Sequence, residues 1–497
     1  MKNITRFAPS PTGYIHIGNV RSALYPYFIA RQAGADGTFI LRIEDTDQAR
    51  YVDGATALIE DTLKWLGLSW DEGPEVGGDH GPYFQTERKA IYLEWAQKLI
   101  AAGRAYADDT PSDVIDGYRA ADNAAKIPYL YRNHRPETIK PWEPGMPIRF
   151  KADPKPREWH DEVMGDLKAG PEVQDDIILI KKDGLPTYNF AHIIDDYLMG
   201  CTHVMRGVEY VSSTPNYLAL YEALNIPVPK LVSLPHILAP TGNKKLGKRD
   251  GAKSVTEYRA DGVLPETMLN YLACLGWNDG TEQEIYTMSE LIEKFSLDRV
   301  QNSGARYDET KLLWMNGQWI RKLVDEQGID TFYPRTLERY TTGKPGEEAA
   351  EARDFWPAIA ASVSDDYKKS VLAIIYDRLK TLSDLREMTT YFFADPEVDL
   401  AQLTENKFVK KLNEGEPKAL LGQTIAALEA LADWNADTLQ AALNDLLATS
   451  GKKPAELFSL IRIAISFAPF SPALNLTMSV LGRETTLRRL RRVADAM

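Results

Sequence analysis

Phe7-Ala8-Pro9-Ser10-Pro11-Thr12-Gly13-Tyr14-Ile15-His16-Ile17-Gly18-Asn19 decides how the rest of the chain is read. A short apolar run enters a loop held by two prolines and Gly13. A helix then opens near His16-Ile17-Gly18 and continues through Val20, Ala23 and Leu24. A helix start presents unpaired backbone N–H groups and partial positive charge, which suits a phosphate or a carboxylate. Gly18 has no Cβ, so a purine ring could lie directly on the backbone, and His16 offers an imidazole donor to phosphate oxygens. Spacing alone favours a plainer reading: a proline-stiffened strand–helix turn with one surface histidine.

Outward from this stretch, strand and helix signals alternate. Phe39-Ile40-Leu41-Arg42-Ile43 reads as a buried strand ending at Glu44-Asp45-Thr46-Asp47, and residues 54–66 and 87–102 carry helical periodicity. Such alternation argues for a parallel α/β sheet. Residues 105–168 are polar, rich in proline and aromatics, and without clear repetition, so they read as an insertion between two halves of a sheet domain. The strand pattern resumes at Asp176-Ile177-Ile178-Leu179-Ile180. Helices are expected over 188–197 and 217–224, and a strand over 231–238, before a Pro240-Thr241-Gly242-Asn243 loop. Residues 255–324 read as helical, with Pro265 at a helix start, and the tail beyond Asp325 shows only helical periodicity.

A chain of 497 residues is long enough for roughly two to four domains. Its N-terminus has no apolar signal core and no run reaches membrane-spanning length, so a cytoplasmic protein is expected. The two cysteines, Cys201 and Cys274, exclude a disulfide framework and a Cys-rich zinc site. A net charge of −13 argues against indiscriminate coating of nucleic acid, yet leaves local basic patches open, such as Lys368-Lys369 and Arg488-Arg489 with Arg491-Arg492.

The second signal is Lys244-Lys245-Leu246-Gly247-Lys248-Arg249, on a glycine-containing loop after the last sheet strand. Lysines on such a loop can close over a triphosphate and stabilise charge as pyrophosphate leaves. Alone it is weak; paired with His16-Ile17-Gly18 it resembles the HIGH and KMSKS motifs of class I aminoacyl-tRNA synthetases. The wider match resembles bacterial-type glutamyl-tRNA synthetases. It runs through Arg6 to Gly13, Leu41-Arg42-Ile43-Glu44-Asp45-Thr46-Asp47, Trp65-Leu66-Gly67-Leu68, Asp71-Glu72-Gly73-Pro74 and Gly81-Pro82-Tyr83. It continues in Pro186-Thr187-Tyr188-Asn189, Asp195-Asp196 and Leu312-Leu313-Trp314-Met315-Asn316-Gly317. The helical tail matches in length, type and the closing Leu481-Gly482-Arg483.

The resemblance implies a Rossmann-like catalytic domain in two halves, 1–104 and 169–252, split by an acceptor-stem-binding insertion at 105–168. A helical stem-contact domain at 253–324 and an all-α anticodon-binding domain at 325–497 would follow. The implied reaction joins glutamate to ATP as an adenylate and passes the acyl group to the terminal ribose of the glutamate tRNA, with the glutamine tRNA left open. His16, Lys245 and Lys248 would be catalytic. Pro9, His16, Gly18, Asn19, Lys245, Leu246 and Lys248 would hold ATP, and Arg6, Ala8, Ser10, Glu44, Tyr188 and Arg206 would hold glutamate. A guanidinium can grip a carboxylate through two parallel hydrogen bonds, which suits Arg6 and Arg206 to an acidic substrate. Mg²⁺ would arrive with ATP, without a dedicated protein cage.

Three departures from the family pattern stand out. Asn19 replaces the second histidine of HIGH. Gly247 and Asp250 stand where serine and histidine are usual. Val208 sits where an acid is common, which leaves the role of Glu209 open. The insertion has His134 and His160 but no cysteine, so no structural zinc is expected. Arg353, Phe355, Trp356 or the terminal arginines are candidates for anticodon contact, although ordinary core and surface roles are the plainer reading. A monomer is expected. The alternatives are a synthetase-derived RNA-binding protein and a small-molecule nucleotidylyltransferase; the intact lysines disfavour the first and the helical tail the second.

Overall fold

The structure, a computed structural model, describes every residue except 1, 14, 248–250, 252, 342–351, 353, 469 and 470. Lys248, Arg249, Asp250 and Arg353 thus lie outside the described residues. The chain forms two compact units. The first holds Met1–Glu257 and Pro265–Glu309; the second holds Tyr258–Leu264, residues 310–341 and the described residues from 352 onward.

In the first unit, β1 (Asn3–Phe7) leads through the proline loop into α1 (Ile17–Gln32), and β2 (Gly37–Leu41) returns parallel to β1. Arg6 lies opposite Ile40 and Phe7 opposite Leu41. Parallel neighbours need a crossover, and α1 provides it. Val20, Ala23, Leu24, Phe28 and Ala30 of α1 are fully buried, as are Phe39, Ile40 and Leu41 of β2. α2 (Ala55–Trp65) and α3 (Lys89–Ala101) coincide with the periodic stretches at 54–66 and 87–102.

The stretch at 105–168 holds more regular structure than its composition suggests. It contains β3 (Ala105–Ala107), α4 (Ser112–Ala124), β4 (Ile148–Phe150), β5 (Arg157–Asp161) and β6 (Gly165–Ala169). β4 pairs antiparallel with β3 and with β7 (Ile178–Ile180), and β5 forms a hairpin with β6. Strands of three residues are too short to display alternation. Charged Glu158 and Lys168, directly opposite each other across the hairpin, disguise the other two.

α5 (Tyr188–Leu198), β8 (His203–Gly207), α6 (Thr214–Leu224) and β9 (Lys230–Leu234) follow, with β8 and β9 parallel. Thr202 donates its N–H to the Ile4 carbonyl at 2.8 Å, which lays β8 beside β1. The strand expected over 231–238 is instead two. Pro235 has no N–H to give a ladder, and beyond it β10 (Ile237–Leu238) pairs with β11 (Ala305–Arg306). The region read as helical over 255–324 contains α7 (Val255–Ala260), α8 (Pro265–Cys274), α9 (Met288–Lys294) and α10 (Glu309–Gln327). Turns and β11 interrupt it between these helices.

Every named element of the second unit is helical among the described residues. α11 (Ile329–Phe332), α12 (Asp365–Ile375), α13 (Asp384–Phe393) and α14 (Leu400–Glu405) precede a bundle. The bundle comprises α15 (Glu416–Glu429), α16 (Ala436–Ser450), α17 (Pro454–Ser466), α18 (Leu474–Leu481) and α19 (Arg483–Ala496). Leu421, Leu428, Leu460, Ile461 and Leu490 form its buried interior. Ser364, Asp399 and Asn435 cap α12, α14 and α16 by accepting backbone N–H bonds. Asn316 and Gly317 of the Leu312–Gly317 motif act by packing. The Asn316 amide bonds Gly262, Leu264 and Lys380 backbone atoms, and a Cβ on Gly317 would stand 3.0 Å from the Leu379 carbonyl. Among the described residues no helix is long and apolar enough to cross a membrane.

Candidate active site

The carboxyl ends of β1, β2, β8 and β9 open onto one cavity of about 780 Å³, the usual place for a ligand in a parallel sheet. Arg6, Ala8, Pro9, Ser10, His16, Gly18, Asn19, Glu44, Tyr188, Arg206, Lys245 and Leu246 all line it. Every residue expected to bind ATP or glutamate is therefore gathered here except Lys248, which lies outside the described residues.

The floor of the cavity is a buried ion network. Arg6 donates Nε–H and Nη2–H to the two carboxylate oxygens of Asp196, at 3.0 and 3.3 Å, and Nη1–H to the Met205 carbonyl at 2.8 Å. Arg42 reaches Asp196 Oδ1 at 2.8 Å and Glu44 Oε1 at 3.0 Å. Arg88 Nε–H, Gln85 Nε2–H and the Tyr92 hydroxyl all donate to Asp195, at 2.7, 2.8 and 2.8 Å. Burial works against ionisation of Asp196, but Arg6 and Arg42 outweigh it and hold the carboxyl well below its ordinary range. Burial dominates at Glu44 and pushes its pKa up, while Arg42 and Arg6 oppose the shift. The two-pronged edge of Arg6 is thus engaged with Asp196, leaving to a ligand only the outer hydrogens of its terminal nitrogens.

Arg206 is held differently. Its Nη1 lies 3.1 Å from His192 Nε2, and its guanidinium carbon is 4.6 Å from the centre of the Tyr217 ring and 5.9 Å from that of Tyr210. Tyr188 stacks on His192 with ring centres 4.8 Å apart.

At the other end, His16 is the N-cap of α1. Asn19 Oδ1 accepts the His16 backbone N–H at 3.1 Å, so the residue in place of the second histidine closes the reverse half of a capping box. A Cβ built on Gly18 would meet no protein atom within 4 Å, so its packing against the protein does not demand glycine. The described ends of the lysine loop are tied to the cavity wall. Leu246 N–H donates to the Ile237 carbonyl at 2.8 Å and Lys245 bridges Leu238, while Ser254 bridges His16. Arg306 fastens the preceding turn through the Ala239 and Gly242 carbonyls at 3.0 and 2.6 Å. Lys245 Nζ lies 3.2 Å from Glu209 Oε1, and together with Lys245 the backbone N–H of Glu209 draws its pKa down against the opposing effect of burial.

Glu209, left open by the sequence, is thereby placed beside Lys245. His192, Tyr210 and Asp196 are functional neighbours that no role was given to. Their signal was present in part, since His192 and Asp196 follow Tyr188 at four- and eight-residue spacing, on one face of α5. Of the anticodon candidates, Phe355 and Trp356 are buried, with Trp356 Nε1–H donated to Thr336 Oγ1 at 3.0 Å. Arg488 and Arg489 both meet Asp395 Oδ1, at 2.9 and 2.8 Å, and Arg491 pairs with Glu429. Arg489 is buried, while Arg488 and Arg491 remain about half exposed. Within residues 105–168, His134 bonds Asp122 at 2.9 Å and His160 bonds Asp166 at 2.7 Å. Among the described residues no group of three or more His, Cys, Asp or Glu side chains is placed to hold a metal ion.

Known proteins resemble the chain over nearly its full length. Residues 2–314 match the family model of class I tRNA synthetases (E and Q), catalytic domain, and residues 347–494 match an anticodon binding domain. The chain is 41% identical over 496 residues to a glutamate–tRNA ligase of Clostridium botulinum, covering 98% of this chain and 97% of that one. It is 39% identical to a glutamate–tRNA ligase of Dehalococcoides mccartyi, with 98% and 96% covered. A crystal structure of a glutamate tRNA ligase from Elizabethkingia meningosepticum, in complex with its amino acid, superposes with a TM-score of 0.85 at 30% identity, covering 100% of this chain and 99% of that one. Family model and relatives together span the chain, and the protein belongs to the glutamate–tRNA ligase family of class I tRNA synthetases.

Proposed function

We infer that the protein is a glutamate–tRNA ligase. It activates glutamate with ATP and transfers the glutamyl group to the 3′-terminal ribose of the glutamate tRNA. The observation that carries this reading is the convergence, in one cavity, of an open helix start at His16–Gly18, an anchored lysine loop and a buried set of charges suited to a dicarboxylic amino acid.

The α-carboxylate of glutamate attacks the α-phosphorus of ATP and pyrophosphate leaves. A ribose hydroxyl of the tRNA then attacks the acyl carbon and AMP leaves. Both steps depend on holding reactants in line and neutralising charge, and need no covalent nucleophile. Gly18 gives the adenosine a flat, open backbone surface. His16 and Lys245, with Lys248 from the same loop, steady the phosphate charge, and Pro9, Asn19 and Leu246 shape the nucleotide's walls. Mg²⁺ enters with the phosphates as part of the substrate. Arg206 faces the side-chain carboxylate of glutamate. Glu44 takes the ammonium group, while Ser10, Ala8 and Tyr188 complete the pocket and Arg6 contributes its outer hydrogens.

Residues 105–168 meet the acceptor end, 253–324 the stem and 325–497 the anticodon; the enzyme works as a cytoplasmic monomer. The test is charging of purified glutamate and glutamine tRNAs with labelled glutamate. Charging of the glutamate tRNA supports the reading, and the second tRNA defines its range. Absence of charging with both overturns it.

A further inference from the structure

Arg6, Arg42 and Arg206 are buried at the candidate glutamate site, and the first two of them are paired with carboxylates. Arg6 and Arg42 share Asp196, and Arg42 also pairs with Glu44. Arg206 is also buried, at 8% exposure, yet its side-chain partners are an imidazole and two phenol rings, none of them a carboxylate. Burial raises the pKa of both Tyr210 and Tyr217, so neither ring system brings a negative charge.

His192 is the hinge of this arrangement. Its Nδ1 lies 2.7 Å from the Tyr188 carbonyl, which can only accept, so Nδ1 carries the hydrogen. Its Nε2 lies 3.1 Å from Arg206 Nη1, which can only donate, so Nε2 offers a lone pair. Both neighbours thus demand the same neutral tautomer. Burial, then the Arg206 charge, depress the imidazole pKa to about 3, so it stays neutral under physiological conditions. A carboxylate in this place would hold the guanidinium more tightly and cancel its charge. A neutral acceptor holds it and leaves the charge for a ligand.

We propose that His192 is a specificity-determining positioning residue: it anchors Arg206 without neutralising it, so that the cavity prefers an amino acid ending in a carboxylate over its amide analogue. This rests on the reading that Arg206 faces the side chain of the amino-acid substrate. It adds to that reading the residue that sets the charge preference from behind the wall.

The experiment compares the full-length enzyme with His192→Gln, His192→Leu and His192→Glu. It measures KM and kcat for glutamate in tRNA charging, the glutamine concentration that halves the rate, and the thermal midpoint of each variant. Glutamine places an acceptor near the Nε2 position and is expected to keep KM within about threefold of the parent. Leucine removes the acceptor and is expected to raise KM roughly tenfold with kcat little changed. Glutamate neutralises Arg206 and is expected to raise KM by about a hundredfold or more, while inhibition by glutamine changes little. Equal KM values for the Gln and Leu variants would overturn the proposal, and that comparison decides even where the Glu variant does not fold. A folded Glu variant with the parent's preference for glutamate over glutamine overturns it as well. A parent enzyme that charges no tRNA with glutamate would instead sink the functional reading beneath it.

Discussion

Asp196 carries the greatest structural burden of any single residue at the site, because two buried guanidinium groups depend on its charge. Asp196→Asn leaves Arg6 and Arg42 short of an anion and is expected to cost roughly 3–5 kcal/mol of stability, measured by chemical denaturation. His192 gives the chain a distinct response to pH. Its folded pKa of about 3 lies below the ordinary 6.5, so below pH 6.5 the unfolded chain takes up a proton that the folded chain refuses. Stability contributed by neutral His192 is therefore complete above about 6.5 and lost as pH falls towards 3, at up to roughly 1.4 kcal/mol per pH unit. His192→Gln should flatten the fall in thermal midpoint between pH 6.5 and 5; an unchanged slope would show that His192 does not cause it. None of this was legible in the sequence beyond the residues themselves. Arg6 and Asp196 are 190 positions apart, and nothing local announces that one will occupy the other.

Among the elements, the start of α1 separates stability from function most cleanly. Gly18 has an ordinary helical place and open space where a Cβ would stand, so protein packing gives no reason for glycine there. Gly18→Ala should hold or raise stability, by up to about 1 kcal/mol from helix propensity alone, while raising the KM for ATP. An unchanged KM for ATP would remove Gly18 from the nucleotide surface. Asn19 shows the limit of motif reading. The residue at the second-histidine position accepts the His16 backbone N–H, a helix-capping role the motif does not mention. Elsewhere, long periodic elements were legible: α2 and α3 follow their apolar spacing closely. The short strands β3, β4 and β7 were not all distinguishable, because three residues carry no measurable period and their pairing is set by distant partners. Pro235 is the reverse case, a residue whose effect was legible and whose break in the strand went unread.

At the scale of the whole molecule, the chain joins a parallel-sheet unit, whose strand ends form the cavity, to an all-helical unit built for packing. The alternation of strand and helix announced the first, and unbroken helical periodicity the second. The opening Phe7–Asn19 stretch and the Lys245 loop were legible as a pair through their resemblance to the HIGH and KMSKS motifs, and a parallel sheet delivers both to the edge where its strands end. The conversion of a charge-lined cavity into an amino-acid site depended on geometry: which arginines are neutralised and which is not. Glutamate-dependent exchange between pyrophosphate and ATP, run with the glutamate tRNA present, addresses that cavity most directly. Exchange by the parent enzyme that requires glutamate, and that Arg206→Leu abolishes while the variant keeps its parent's thermal midpoint, is the predicted result. Exchange that proceeds equally well without glutamate, or that survives in the folded Arg206→Leu variant, would contradict the account.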